Sequence, residues 1–85
     1  MEVIFLPRAD EDLIYWTDTG NKSVLKKIAK LTEAILEHPF EGIGKPEALK
    51  HNLKGKWSRR ITDEHRFVYR IENDSLYVYS LKGHY

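Results

Sequence analysis

Residues 39–66, PFEGIGKPEALKHNLKGKWSRRITDEHR, together with His84 and Tyr85 supply a carboxylate, imidazoles, a phenol and a run of ammonium and guanidinium groups. That set suits the breaking of an RNA strand without a metal. One group takes the proton from a 2′-hydroxyl, another protonates the departing 5′-oxygen, and cations lie over the phosphoryl oxygens. Glu47 follows Pro46 and is the only acid between Gly42 and Arg60. Set among Lys45, Lys50, Lys54 and Lys56, it is an anion able to act as the base. An isolated glutamate in a loop is more often a solvated surface charge, so this role depends on its surroundings. Imidazole donates and recovers a proton near neutral pH, which makes His84 the candidate acid. A histidine at a terminus that would otherwise fray implies that something holds it; the alternative is a disordered terminal residue. Tyr85 can donate through its phenol, stack on a base or simply pack on the sheet.

Arg59, Arg60, Arg66 and Arg70 fall on two adjacent expected strands. Guanidinium matches a phosphate bidentately, although each arginine could equally serve a salt bridge. Alternation puts Arg66 and Arg70 on one face with Val68 and puts Arg59 and Arg60 on opposite faces, so at most one of the latter pair points at a substrate. The charge is unevenly spread. Residues 1–20 carry five acids and one base, whereas residues 45–70 carry eight bases and three acids, beneath a formal net charge of only +1. A short segment this basic focuses a positive field that attracts a polyanion. No metal site or cofactor is expected: cysteine is absent, and His51, His65 and His84 lack an H-x-x-x-H or H-E-x-x-H spacing. Ser58, Asp63 and His65 have the residue types of a triad but lie too close together on one strand and turn to converge.

These groups need a scaffold, and 85 residues allow one small domain, residues 1–85, with ten aromatic side chains to thicken its core. The apolar run Val3–Leu6, flanked by acids, is too short for a signal peptide or a membrane span. With no cysteine to form disulfides, the chain reads as cytoplasmic. Val3–Phe5 reads as a strand stopped by Pro7. A helix follows, with Asp10, Glu11 and Asp12 at its positive end and Gly20 at its stop. Val24, Ile28, Leu31 and Ile35 recur at helical spacing and predict a second helix ending near His38, before Pro39. Residues 40–55, with four of their number Gly or Pro, predict a largely irregular loop with a short helical turn around Glu47–Lys50. Lys56–Ile61, Arg66–Glu72 and Ser75–Leu81 predict three strands, the last two joined by a hairpin at Asn73-Asp74. The expected architecture is α+β: two N-terminal helices on one face of a small antiparallel sheet, with the opposite face partly polar and available for work.

The whole of this pattern, EDLIYW, the GKPE…LKHNL…WSRRI…EHR series and the final HY, resembles the YoeB/Txe toxins, a branch of the RelE superfamily of bacterial toxin–antitoxin systems. The resemblance implies the RelE-like microbial RNase fold and a ribosome-dependent messenger-RNA endonuclease that cleaves in the A site of the 70S ribosome and halts translation. Carried over by position, Glu47 is the general base, His84 the general acid, Arg66 the phosphoryl stabiliser and Tyr85 a substrate-orienting group. Lys50 and Arg60 support the charge of the site, with Lys45 and Lys54 beside them. The resemblance also implies a homodimer, a YefM/Axe-like antitoxin whose disordered C-terminal segment wraps the toxin, and operator DNA bound only through that complex. The competing reading is an RNA- or antitoxin-binding module on the same fold without catalysis. One position departs from the family pattern: Gly83, preceded by Lys82, stands where an aromatic residue is common, and glycine there would loosen the tail.

Overall fold

In the computed structural model, which describes residues 1–84, each strand pairing and helix face follows from where apolar side chains must go. The elements run β1 (Glu2–Phe5), α1 (Pro7–Asp18), α2 (Lys22–Glu37), β2 (Glu47–Ala48), a 3-10 turn (His51–Leu53), β3 (Trp57–Arg60), β4 (Arg66–Glu72) and β5 (Ser75–Ser80). They form a five-stranded sheet of order β1-β5-β4-β3-β2. Strands β3 to β5 are antiparallel as expected and β2 joins them antiparallel at the edge, but β1 lies parallel to β5, with Val3 beside Leu76 and Phe5 beside Val78, so the sheet is mixed. The reason is connectivity: after two helices the chain returns to β1 from the far side, and only the last strand is left to cover its inner edge.

Pro7 opens α1, where its missing N–H costs nothing. Asp10 serves the helix dipole, whereas Asp12 does not: it is buried, and its carboxylate accepts the Leu81 amide at 2.9 Å and the Arg8 Nε at 3.1 Å. Gly20 turns the chain with φ +68°, and the Asn21 side chain caps α2 by accepting the Val24 amide. Val24, Ile28, Leu31 and Ile35 are all buried, and with Ala9 and Trp16 they pack on Phe67, Tyr69, Leu76 and Val78 of the sheet. Both helices therefore cover one face.

Asn73 and Asp74, at φ 52° and 59°, form a tight turn with two left-handed residues that suits the right-handed twist of the β4–β5 hairpin. Between Val68 and Tyr69 the β5 register steps from Ser80 to Val78, leaving Tyr79 as a bulge. One extra residue reverses the alternation beyond it. Leu81 thereby enters the core, fully buried, where its carbonyl accepts the Trp16 indole N–H at 2.9 Å.

The loop from α2 to β2 is not held by apolar packing. Arg59 is fully buried on the helix-side face of β3 and donates to the carbonyls of His38 (2.6 Å), Glu41 (2.9 Å) and Ile43 (3.1 Å) and to the Tyr69 hydroxyl (3.2 Å). The Tyr69 hydroxyl in turn donates to the Pro39 carbonyl at 2.6 Å. Gly44 then passes so close that a Cβ there would lie 2.8 Å from Leu31 Cδ2 and 3.1 Å from Arg59 Cβ. At φ +82° the position also strains any side chain.

Two outcomes follow from this network. Arg59→Met keeps the volume but strands three part-buried carbonyls and the Tyr69 hydroxyl, so chemical denaturation should show a loss of about 3 kcal/mol at unchanged m-value. Burial pushes the Tyr69 phenol above its ordinary 10.0, only partly offset by the hydrogen bond and charge of Arg59. The folded state therefore favours the protonated phenol. This contribution is fully present below pH 10.0 and fades as pH climbs through the raised value. Tyr69→Phe should flatten the alkaline decline in stability, measured by denaturation above and below that pH.

Candidate active site

The sheet face away from the helices carries the candidate residues. Glu47 pairs with Ser58, Ser58 with Val68, and Arg60 with Arg66, so these side chains stand on one face. A cleft of about 330 Å³ is lined there by Lys45, Pro46, Glu47, Ser58, Arg60 and Arg66. The Arg60 amide donates to the Gly44 carbonyl (2.7 Å) and the Arg66 amide to the Gly83 carbonyl (3.0 Å), so neither bonds the other strand at this pair. The two arginines form the non-hydrogen-bonded kind of pair, with Cα atoms about 4.5 Å apart and side chains close together. Like charges directly opposed destabilise a sheet, and here both line the cleft together with Lys45.

Arg66 is also anchored. Its Nη1 donates to the carbonyls of Thr62 (2.8 Å), Asp63 (3.0 Å) and His65 (3.2 Å), which fixes the plane of the guanidinium. On the other side of the cleft, the short helical turn expected at Glu47–Lys50 is instead the two-residue strand β2, followed by the 3-10 turn at His51–Leu53. An edge strand of two residues bears no periodicity, and the surrounding glycines outweigh it in the sequence. Lys45 (φ 52°) and His51 (φ 58°) bracket β2 in left-handed backbone conformations, a cost that non-glycine residues bear mostly where geometry is over-determined. Glu47 also borders a second cleft of about 400 Å³, which Lys50 helps to line and which Arg60 and Arg66 do not. Lys54 closes the 3-10 turn, its amide donating to the His51 carbonyl, and lines neither cleft.

His84 is exposed. It follows Gly83, whose carbonyl is held by the Arg66 amide and whose own amide donates to His65 Nδ1 at 2.8 Å. Gly83 is thus no loose link: bonded through both its amide and its carbonyl and set at φ +77°, it turns the chain so that His84 leaves from beside Arg66. Tyr85 lies outside the described residues. Ser58, nearly fully buried in the floor of the cleft, had drawn notice in the sequence only as a triad type; its place two residues before Arg60 on the same strand face was the usable signal. Arg59 shows the converse, since its guanidinium is spent on the loop behind the sheet and on the Tyr69 hydroxyl.

Beyond the cleft the same face continues as a band of cations over aromatic rings. Lys56 Nζ stands 4.1 Å above the Tyr79 ring, and the Arg70 guanidinium lies 5.6 Å from Tyr77 and 5.7 Å from Tyr79. Rings and cations together are the surface that single-stranded nucleic acid binders use.

Residues 5–85 match the family described as the YoeB-like toxin of bacterial type II toxin–antitoxin systems. Toxin YoeB of Escherichia coli (strain K12) is 48% identical over 85 residues, covering 100% of both chains. Among solved structures, the YoeB/ParE toxin from Agrobacterium tumefaciens superposes with a TM-score of 0.96 at 39% identity, with 100% of each chain covered. YoeB of Staphylococcus aureus, solved in a heterotetrameric complex with YefM and as a dimer, is 43% identical, covers 100% of this chain and 98% of its own, and gives TM-scores of 0.89 and 0.90. Likeness at these identities from one end of the chain to the other leaves a single assignment: the chain belongs to the YoeB-like toxins of bacterial type II toxin–antitoxin systems.

Proposed function

We propose that this toxin is a ribosome-dependent messenger-RNA endonuclease, cutting in the A site by acid–base chemistry that uses no metal. The observation that carries the reading is the single cleft in which Glu47 faces two directly opposed arginines. In the reaction, Glu47 takes the proton of a 2′-hydroxyl as that oxygen bonds to phosphorus. The bond from phosphorus to the 5′-oxygen breaks, and His84 gives its proton to the departing oxygen. Arg60 and Arg66, with Lys45 and Lys50 around them, offset the charge that grows on the phosphoryl oxygens. Tyr85 orients the nucleotide. The cation–ring band of Lys56, Arg70, Tyr77 and Tyr79 extends the track along which the strand would lie.

The same reading includes partners. The Staphylococcus aureus relative is found as a dimer and in a complex with YefM, which supports a homodimer and a YefM-like antitoxin for this chain. A disordered antitoxin segment wrapped over the toxin would hold the cleft inactive, and operator DNA would be met through that complex. Among the described residues no helix is long and apolar enough to cross a membrane.

Primer extension on a defined message in a purified translation system tests the reading. A cut at the A-site codon should appear only with ribosomes, and Glu47→Gln or His84→Ala should slow it by about 10²–10⁴-fold while ribosome affinity holds within about twofold. Cleavage indifferent to both residues, or lost only together with binding, would favour the non-catalytic binding module. A separate expectation concerns the opposed arginines. Arg60→Ala should lower the cleavage rate by about 10²-fold yet raise folding stability by roughly 0.2–1 kcal/mol as the like-charge pair is relieved, read by denaturant titration.

A further inference from the structure

We propose that His65 is a positioning residue: its Nδ1, by accepting the Gly83 amide, fixes the segment that carries His84 beside Arg66. The inference rests on the acid role given to His84 above and adds a residue that touches no substrate.

Three observations converge on this ring. The Gly83 N–H to His65 Nδ1 bond is 2.8 Å long and joins the start of β4 to a residue 18 positions later. A backbone amide can only donate, so Nδ1 must be unprotonated, and the neutral ring carries its hydrogen on Nε2. Next, the ring is oriented by Trp16, whose indole meets it edge to face with centroids 4.8 Å apart at 79°. The same indole donates to the Leu81 carbonyl, so one side chain sets both the acceptor and the segment it receives. Finally, the backbone of His65 is itself pinned: its amide donates to Thr62 Oγ1 (3.1 Å), and its carbonyl accepts the Ile61 amide (2.9 Å) and Arg66 Nη1 (3.2 Å).

The consequence is geometric. The Leu81 amide and carbonyl are taken by Asp12 and Trp16, and the Gly83 carbonyl by the Arg66 amide. The Lys82 carbonyl takes a longer bond from Arg8 Nη2 (3.4 Å). The Gly83 amide is a further point at which the turn before His84 is steered, and its partner lies one residue from the guanidinium assigned to the phosphoryl group. A general acid must stand within hydrogen-bond reach of the leaving oxygen, and small misplacements cost rate steeply.

The test compares wild type with His65→Leu, which keeps apolar volume but removes the acceptor, and His65→Asn, whose Oδ1 can stand where Nδ1 stood. Amide hydrogen exchange by NMR on the isolated protein reads the bond itself, and single-turnover cleavage on ribosomes reads its effect. His65→Leu should speed Gly83 exchange and slow cleavage, each by at least about tenfold, with exchange at Tyr69 and Leu76 and ribosome affinity unchanged. His65→Asn should restore both to within about threefold of wild type. Unchanged Gly83 exchange in His65→Leu, failure of Asn to restore it, or faster exchange without slower cleavage would each overturn the proposal. Should His65→Leu not fold, the ring nitrogen shifts of the wild type decide: a protonated Nδ1 overturns the proposal, and an unprotonated Nδ1 coupled through the bond to the Gly83 amide supports it. Absence of any ribosome-dependent cut by the wild type would instead sink the endonuclease reading, whatever the exchange data show.

Discussion

A buried guanidinium organises this toxin. Arg59 is fully enclosed, and the bonds that satisfy it come from three backbone carbonyls and one phenol, with no carboxylate among them. An ion taken out of water at this depth is tolerable only when its donors are met, so the loop that supplies those carbonyls is as constrained as the cation it surrounds. Residues 38–43 are thereby drawn against β3, Gly44 is pressed between Leu31 and Arg59, and the chain emerges at Lys45 with its direction set. Glu47 reaches its cleft because a residue on the opposite side of the sheet holds the loop leading to it.

The other wall of the cleft depends on a bulge. Had β5 kept simple alternation, Tyr77, Tyr79 and Leu81 would share a face, and Leu81 could not both fill the core and present its backbone to Asp12 and Trp16. With Tyr79 bulged, Tyr77 and Tyr79 keep the basic face while Leu81 turns inward, and the following residues are clamped by α1. Apolar burial and site geometry are here consequences of the same extra residue. The glycine that follows completes the arrangement by a left-handed turn no ordinary residue adopts cheaply.

What could be read from residue order divides along these lines. Helix α2 and strand β4 were legible because four apolar residues at helical spacing and a seven-residue alternation each state a period. The Asn-Asp hairpin was legible because those residue types tolerate the left-handed conformation. Arg59 and Arg60 were separable as lying on opposite faces but not assignable to either one, since both faces of β3 turn out to be rich in polar atoms. Asp12 looked like a partner for the helix dipole, because its true partner, the Leu81 amide, is 69 positions away. The parallel edge strand, the bulge and the two-residue β2 left no local signature: each is decided by pairing across distance, which local propensity does not encode. Glu47, Arg60 and Arg66 were thus nameable as candidates, whereas their meeting in one cleft rests on Arg59, Gly44 and the β3–β4 register.

The order of strands has a bearing on how such a chain comes into being. β1 is made first, yet its one strand neighbour is β5, the last of the described strands. During vectorial synthesis the N-terminal strand and both helices therefore wait without their sheet, and the central pairing closes only when the final hairpin has left the ribosome. Most of the basic face belongs to those late strands as well. The cleft lined by Glu47, Arg60 and Arg66 is therefore completed only after the strands that build it have all been made.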